Sequence, residues 1–401
     1  MELKRTLSLP TLILYGLGTT IGAGIYALLG EVVGAAGLRA PVGFVVAALL
    51  AGTTALSFCE LSARLPHAGG EAVYVGEGFR SPGLARVVGI AIAAAACLSA
   101  ATVARGFVGY ASGFVPIGGA AGVALVLVVL GGVAAWGISE SARLAAALTL
   151  IEAGGLLVVT FACHEGLATL PARLPEVVPG FGAEAWAGVG SATLLCFYAF
   201  LGFEDMVNVA EEVRDVRRVM PIAIVTTLVT TLLLYLLVAT AAVLTLSPEE
   251  LAASDAPLAT LFAKATGMSP APILAIGVLA MLNGALIQLI KASRILYGLA
   301  SRGELPAWIA RVHPRRRTPL LATTIAVAGA LVFALLLPIG ALARLTSGVT
   351  LGVFALANLA LLRIRVRDPR PEGVVQIPAW IPATGALVSS GFLVFEIARQ
   401  L

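Results

Sequence analysis

Two stretches of this 401-residue chain put helix-breaking residues in the middle of apolar sequence. One reads Leu17-Gly18-Thr19-Thr20-Ile21-Gly22-Ala23-Gly24-Ile25-Tyr26, the other Phe197-Tyr198-Ala199-Phe200-Leu201-Gly202-Phe203-Glu204-Asp205. Glycine disfavours helix interiors, and a helix that unwinds there releases backbone groups on both sides of the break. The half that begins near Gly22 to Ile25 would present free N–H groups and the positive end of its dipole, which suits a carboxylate. The half that ends at Thr19, Thr20 and Ile21 would present carbonyls, as would the one that ends at Tyr198, Ala199 and Leu201; together they suit an ammonium group. A zwitterion with its two charges one carbon apart fits both ends, so the chemistry expected is the gripping of an amino acid. A single glycine would also serve helix packing, and Gly18-xxx-Gly22 has that spacing; the coincidence of two breaks favours a site.

Other ionisable residues stand in apolar surroundings. Glu152, within Leu150-Ile151-Glu152-Ala153-Gly154-Gly155, is costly as an ion inside a membrane, which makes it either a proton carrier or half of a buried pair. Arg105 follows Arg86 by 19 residues, about 28 Å along a helix. It either snorkels to the interface, pairs with Glu204 or Asp205, or meets an acidic substrate side chain. Glu204 would conversely favour a substrate with a second amine. Lys291 and Arg294 fall near the end of an apolar run and read as interfacial anchors. Asn283 and Gln288 share that run without a clear role.

These groups need elements to hold them, and composition says which. Hydrophobic residues make up 59% and charged ones 12% of the chain, against about 45–50% and 25% in soluble proteins. The chain is read as an all-α integral membrane protein in a lipid bilayer. Apolar runs occur at about 9–33, 42–64, 87–114, 118–138, 144–163, 186–209, 219–246, 273–299, 320–337, 341–362 and 377–398, eleven in all. At about 20 residues per span they would use roughly 220 positions. The first run is longer than the apolar core of a signal peptide, so Lys4 and Arg5 read as flanks of a span.

With the N-terminus inside, eighteen basic residues fall in inner segments and only Arg39, Arg173, Lys264 and Arg399 outside. That asymmetry orients the chain in the cytoplasmic membrane with its N-terminus in and its C-terminus out. The net charge of +4 is too mild for a nucleic-acid partner. Cys59, Cys97, Cys163 and Cys196 are scattered, and His67, His164 and His313 lie in loops on differing sides, so no metal, cofactor or nucleophile site is expected. A phosphate-binding loop is missing too, and Gly16-x-Gly18-x-x-x-Gly22 lacks the strand a dinucleotide loop needs. The protein is not expected to be an enzyme.

The broken runs are the first and the sixth, so each opens a set of five, and an odd number per set inverts the second set in the membrane. The expected organisation is a first repeat at 1–165, an outer loop at 166–185, a second repeat at 186–362, and an inner loop with helix eleven at 363–401. A short helix after Ser254-Asp255-Ala256-Pro257 is expected as an outer lid.

Several motifs carry a resemblance. Gly18 to Tyr26, Glu60-Leu61-Ser62-Ala63-Arg64-Leu65-Pro66 with Ala68-Gly69-Gly70-Glu71, Phe203 to Ala210 with Glu211-Glu212-Val213, and Ser293-Arg294 through Gly303-Glu304-Leu305-Pro306 with His313-Pro314 and Thr318-Pro319 follow one another as in the amino acid, polyamine and organocation transporter superfamily. The resemblance implies a five-plus-five inverted-repeat fold like that of the leucine transporters, with helices one and six broken. It implies carboxylate contacts at Gly22, Ala23 and Gly24, amino contacts at Thr20, Ile21, Tyr198, Ala199 and Leu201, and Phe203 as an aromatic gate. It also puts Glu152 where proton-driven relatives carry a lysine on helix five. The chain departs from the pattern in having Asp215-Val216 after the paired glutamates and in lacking a twelfth helix. The function implied is secondary active transport of amino acids by alternating access, as proton-coupled symport, with the proton preferred to sodium. The alternatives are an exchanger, a polyamine or cationic amino acid antiporter, and a non-transporting sensor or channel; the oligomeric state is left open.

Overall fold

The computed structural model describes residues 7–66, 70–116, 118–136, 142–316, 318–369 and 373–400. Lys4, Arg5, His67, Ala68, Gly69, Arg317 and Arg370 lie outside the described residues, as do the side chains of Ala23, Arg143 and Arg399. The described chain is helical almost throughout: α1 (Leu9–Ala36), α2 (Ala40–Arg64), α3 (Gly70–Phe79), α4 (Pro82–Ala111), α5 (Gly119–Trp136), α6 (Ala142–Ala162), α7 (His164–Ala168), α8 (Leu170–Val177), α9 (Ala183–Phe200), α10 (Val216–Thr245), α11 (Pro248–Ala252), α12 (Pro257–Thr266), α13 (Ala271–Ser301), α14 (Leu320–Leu336), α15 (Ile339–Arg367) and α16 (Trp380–Gln400). A 3₁₀ helix, Phe203–Glu212, continues α9 after a break.

Eight helical segments are long and apolar enough to cross a membrane, and three shorter apolar helices accompany them among the described residues. Counted as rods, α1, α2, α4, α5, α6, α9, α10, α13, α14, α15 and α16 follow the eleven apolar runs of the sequence in order. Side chains left exposed on them, such as Leu49, Val128, Phe161, Leu233 and Leu336, are apolar, as a surface solvated by lipid requires. α4 begins five residues before the expected apolar run, where Ser81 caps it by accepting from Leu84 N at 3.2 Å with Pro82 in the first turn. The helix expected after Ser254-Asp255-Ala256-Pro257 is α12.

Packing partners exchange under a shift of five rods. α1 packs on α10 as α9 packs on α2; α1 lies on α6 as α9 lies on α15; α4 lies on α14 as α13 lies on α5. The pair α4 and α13 packs most extensively, and α1 packs on both.

At the arginine-rich end, the fully buried Glu60 of α2 ties three elements together. Its carboxylate accepts from Arg64 Nε at 2.8 Å, Arg365 Nε at 3.0 Å and Ile377 N at 2.9 Å. Arg365 also donates to the Ile377 carbonyl at 2.7 Å, and Arg64 to that of Asp368 at 2.8 Å. The ends of α2 and α15 are thereby fastened to the segment that leads into α16. Removing one partner strands buried charge, which typically costs about 3–5 kcal/mol. Glu60→Ala is accordingly expected to lower stability by about that amount in detergent unfolding, and Glu60→Gln by less; an unchanged midpoint in Glu60→Ala would remove this cluster from the list of stabilising contacts.

Candidate functional site

Both expected breaks are present. Gly22 has φ −29° and ψ −124°, far from helical values, and divides α1 into two halves. At the second break Leu201 is extended (φ −64°, ψ 138°) and Gly202 takes φ +128°, a region that residues with a Cβ rarely enter. The 3₁₀ helix that follows runs ten residues, longer than such helices usually run, as happens at hinges and functional sites.

The two breaks touch. A Cβ on Gly24 would lie 2.6 Å from the Ala199 Cα, and one on Gly202 would collide with the Thr19 carbonyl, so both positions are small because backbone meets backbone. Polar side chains take up much of the freed hydrogen-bonding capacity. The Tyr235 hydroxyl, from α10, lies 2.8 Å from the Thr20 carbonyl and 2.9 Å from the Ala199 carbonyl, bridging both breaks. Thr19 Oγ1 is placed to donate to Gly202 O at 3.0 Å. Glu204 Oε2 accepts from Gly202 N at 2.7 Å and so satisfies an N–H at the break itself.

A cavity of about 40 Å³ opens between the breaks, lined by Gly18, Thr19, Thr20, Gly22 and Gly24 of α1 and by Tyr198 and Leu201, with Ser99 and Val103 of α4 and Gly284, Ile287 and Gln288 of α13 opposite. Tyr198 is held there by its hydroxyl, 2.9 Å from Ser99 Oγ. A second cavity of about 30 Å³ adjoins it toward the arginine-rich end. The two share Ser99, Leu201 and Gln288, and the second adds Glu71, Glu204 and Lys291. Lys291 Nζ lies 2.5 Å from Asp205 Oδ1 and 3.7 Å from Glu204 Oε1. Glu71, on the short α3, is nearly inaccessible; burial pushes its carboxyl up to about 7, against the pull of Lys291. A third cavity, about 370 Å³, lies toward the other end and is lined by Glu31, Arg105 and Asp255 among others.

A cavity lined by residues of two helix breaks, inside a bundle of membrane-length rods, is an arrangement found in transporter folds, and sequence comparison agrees. Residues 7–398 match the amino acid permease family. The chain belongs to that family. It is 34% identical over 384 residues to an uncharacterized transporter of Mycobacterium tuberculosis, covering 94% of this chain and 84% of that one. A branched-chain amino acid permease of Bacillus subtilis is 28% identical over 393 residues, with 92% and 82% covered. A vacuolar cationic amino acid transporter of Arabidopsis thaliana is 30% identical over 397 residues, with 92% and 61% covered. These are transporters of the amino acid, polyamine and organocation superfamily, not enzymes.

In this permease the expected contacts are gathered in part. Thr20, Gly22, Gly24, Tyr198 and Leu201 line the central cavity, and Glu204 lines the adjoining one. Ile21 and Ala199 are buried beside it. Phe203 is placed differently from the gate expected of it. Its ring is fully buried between Phe58 and Phe354, at centroid distances of 6.1 and 5.6 Å, outside the lining of both cavities. Arg105 does not reach Glu204 or Asp205: its Nε donates to the Ala334 carbonyl at 2.9 Å and it faces the third cavity. Lys291 holds those carboxyls instead and is no interfacial anchor. Glu152 is buried on α6, and its backbone carbonyl accepts from the Tyr26 hydroxyl at 2.7 Å.

Sequence reasoning missed Tyr235, Ser99 and the inward placement of Lys291. Lys291 carried a usable signal, since it is the one lysine inside an apolar run; Tyr235 carried none beyond a hydroxyl amid aliphatic residues. Because one hydroxyl serves two buried carbonyls, Tyr235→Phe is expected to cost about 1–3 kcal/mol. Thermal unfolding of the variant in detergent checks this, and an unchanged midpoint would show that the bridge between the breaks adds no stability.

Proposed function

We propose that the permease is a secondary active amino acid transporter of the cytoplasmic membrane, with its N-terminus inside, working by proton-coupled symport and alternating access. The observation that carries this reading is the convergence of both helix breaks on one small polar cavity. In this reading the half of α1 that follows Gly22 receives a carboxylate on its N–H groups, and the carbonyls of Thr20, Ile21, Tyr198, Ala199 and Leu201 receive an ammonium. Tyr235 engages two of these carbonyls with a single hydrogen, and each carbonyl oxygen has a second lone pair to offer. The printed names of the bacterial and plant relatives, branched-chain and cationic amino acid carriers, support the substrate class.

The exchange of packing partners between rods supports two inverted repeats, 1–165 and 186–362, joined by 166–185 and followed by 363–401. In such a fold α1, α2, α9 and α10 rock against the rest. The backbone bridge between Leu7 and Val213, where Leu7 N donates to Glu212 O at 3.0 Å, couples the start of α1 to the end of the 3₁₀ helix. The two broken elements would then move together.

Glu152 is the proton carrier in this scheme. It shares a face of α6 with Thr149, whose hydroxyl donates to Leu14 O of α1 at 3.2 Å, so a change in its charge bears on α1 directly. Protonation on one side and release on the other would bias the rocking of α1.

Liposomes containing only this protein are expected to accumulate labelled amino acid saturably when the outside is made acidic; binding without uptake or exchange would support a sensor instead. Gly22→Leu is the sharper probe of the site, because a Cβ there meets nothing within 4 Å and the side chain would fill the cavity. Binding should fall at least 100-fold with the protein still folded, and retained affinity would refute the placement. Gly24→Leu is less telling, since it parts α1 from Ala199. Glu152→Gln should abolish uphill uptake driven by a pH gradient while exchange persists; undiminished accumulation would exclude Glu152 as the carrier.

A further inference from the structure

The second cavity adjoins the first through shared lining residues and offers room for a substrate side chain. A substrate whose carboxylate sits at Gly22 to Gly24 and whose ammonium meets the carbonyls of the two breaks has the central cavity filled by its α-carbon. Any longer side chain passes between Ser99, Leu201 and Gln288, the residues common to both cavities, and comes to Glu204 and Lys291. Glu204 and Asp205 follow the break directly and are nearly inaccessible; Glu204 lines the second cavity, and Asp205 stands behind it, where a cation placed as Lys291 is would meet both carboxylates. The chain instead supplies the cation itself: the ammonium of Lys291 lies 2.5 Å from Asp205 and 3.7 Å from Glu204.

We propose that Lys291 determines side-chain specificity by acting as a tethered occupant of the cation subsite. Its ammonium holds the carboxyl pair and fills the place a second cation would take, so the permease accepts neutral side chains and rejects cationic ones. This rests on the amino acid reading above and narrows it. The positive charge sits on α13 and the carboxyls on the segment after the second break, so the subsite is built by two elements and is assembled only in the folded bundle. A cationic substrate would have to displace a covalently attached competitor, which is held at the subsite whatever the concentration of free solute.

Norleucine and lysine separate charge from length, because their side chains have the same carbon stem and differ in the terminal ammonium. In competition for labelled leucine on the purified full-length protein in detergent, norleucine is expected to bind at least tenfold tighter than lysine. Lys291→Ala and Lys291→Met should each raise the affinity ratio of lysine to norleucine at least tenfold, and Lys291→Arg should leave lysine excluded. Adding Asp205→Asn to Lys291→Ala should bring the ratio back down, since it removes one of the carboxylates that would receive the new cation. A ratio that rises less than tenfold in the folded neutral variants overturns the proposal. So does wild-type protein that binds lysine as tightly as norleucine, a result that needs no variant to fold. If wild-type protein binds neither leucine, norleucine, alanine nor lysine, the amino acid reading itself fails, which is a different outcome from bound norleucine with an unmoved ratio.

Discussion

A backbone that leaves the helix inside an apolar slab must find partners for its N–H and C=O groups within the protein, because lipid offers none, and each group left alone costs several kcal/mol. The rest of this structure follows from that constraint. The breaks in α1 and after α9 are placed against each other, so close that Gly24 lies against Ala199 and Gly202 against Thr19. Their carbonyls are partly met by Tyr235 and Thr19, and an N–H at the second break by Glu204. What remains unmet faces a small cavity. A cavity in the middle of the bundle thus lies where two mutually supporting defects meet, and under the proposed function a ligand with both charges completes it.

Charge in the bundle obeys the same logic at higher cost. Asp205 and Glu204 would be prohibitive alone, and Lys291 accompanies them; Glu60 is fully buried and is met by Arg64, Arg365 and a backbone N–H. The two clusters differ in purpose. The one at Glu60 binds helix ends outside the lining of the three cavities described and reads as fastening. The one at Lys291 lines the space next to the central cavity, where a change in charge would be felt by whatever occupies it.

The rods and both breaks were legible in the sequence because apolar run length and glycine in mid-run report local energetics that hold whatever the neighbours are. Eleven runs became eleven rods in the same order, and Gly22 and Gly202 depart from helix where glycine concentrates. Phe203, Arg105 and Lys291 were read differently from where they stand. Each is long, and its tip is set by which neighbour offers space or charge. Phe203 follows Gly202, whose positive φ turns its ring into the cluster of Phe58 and Phe354; the number of residues from Arg86 gave the depth of Arg105 but not the carbonyl of Ala334 beside it.

By itself the sequence determined that the chain is a bundle of membrane-length helices, that two of them break, and that the breaks offer opposite backbone charges, since hydropathy and helix propensity act over a few residues. Only the tertiary structure decided which side chains reach those breaks. Tyr235 comes from 36 residues beyond Ala199, and Lys291 from α13, some 86 residues beyond Asp205. Such contacts depend on rod packing and register, which no local pattern encodes.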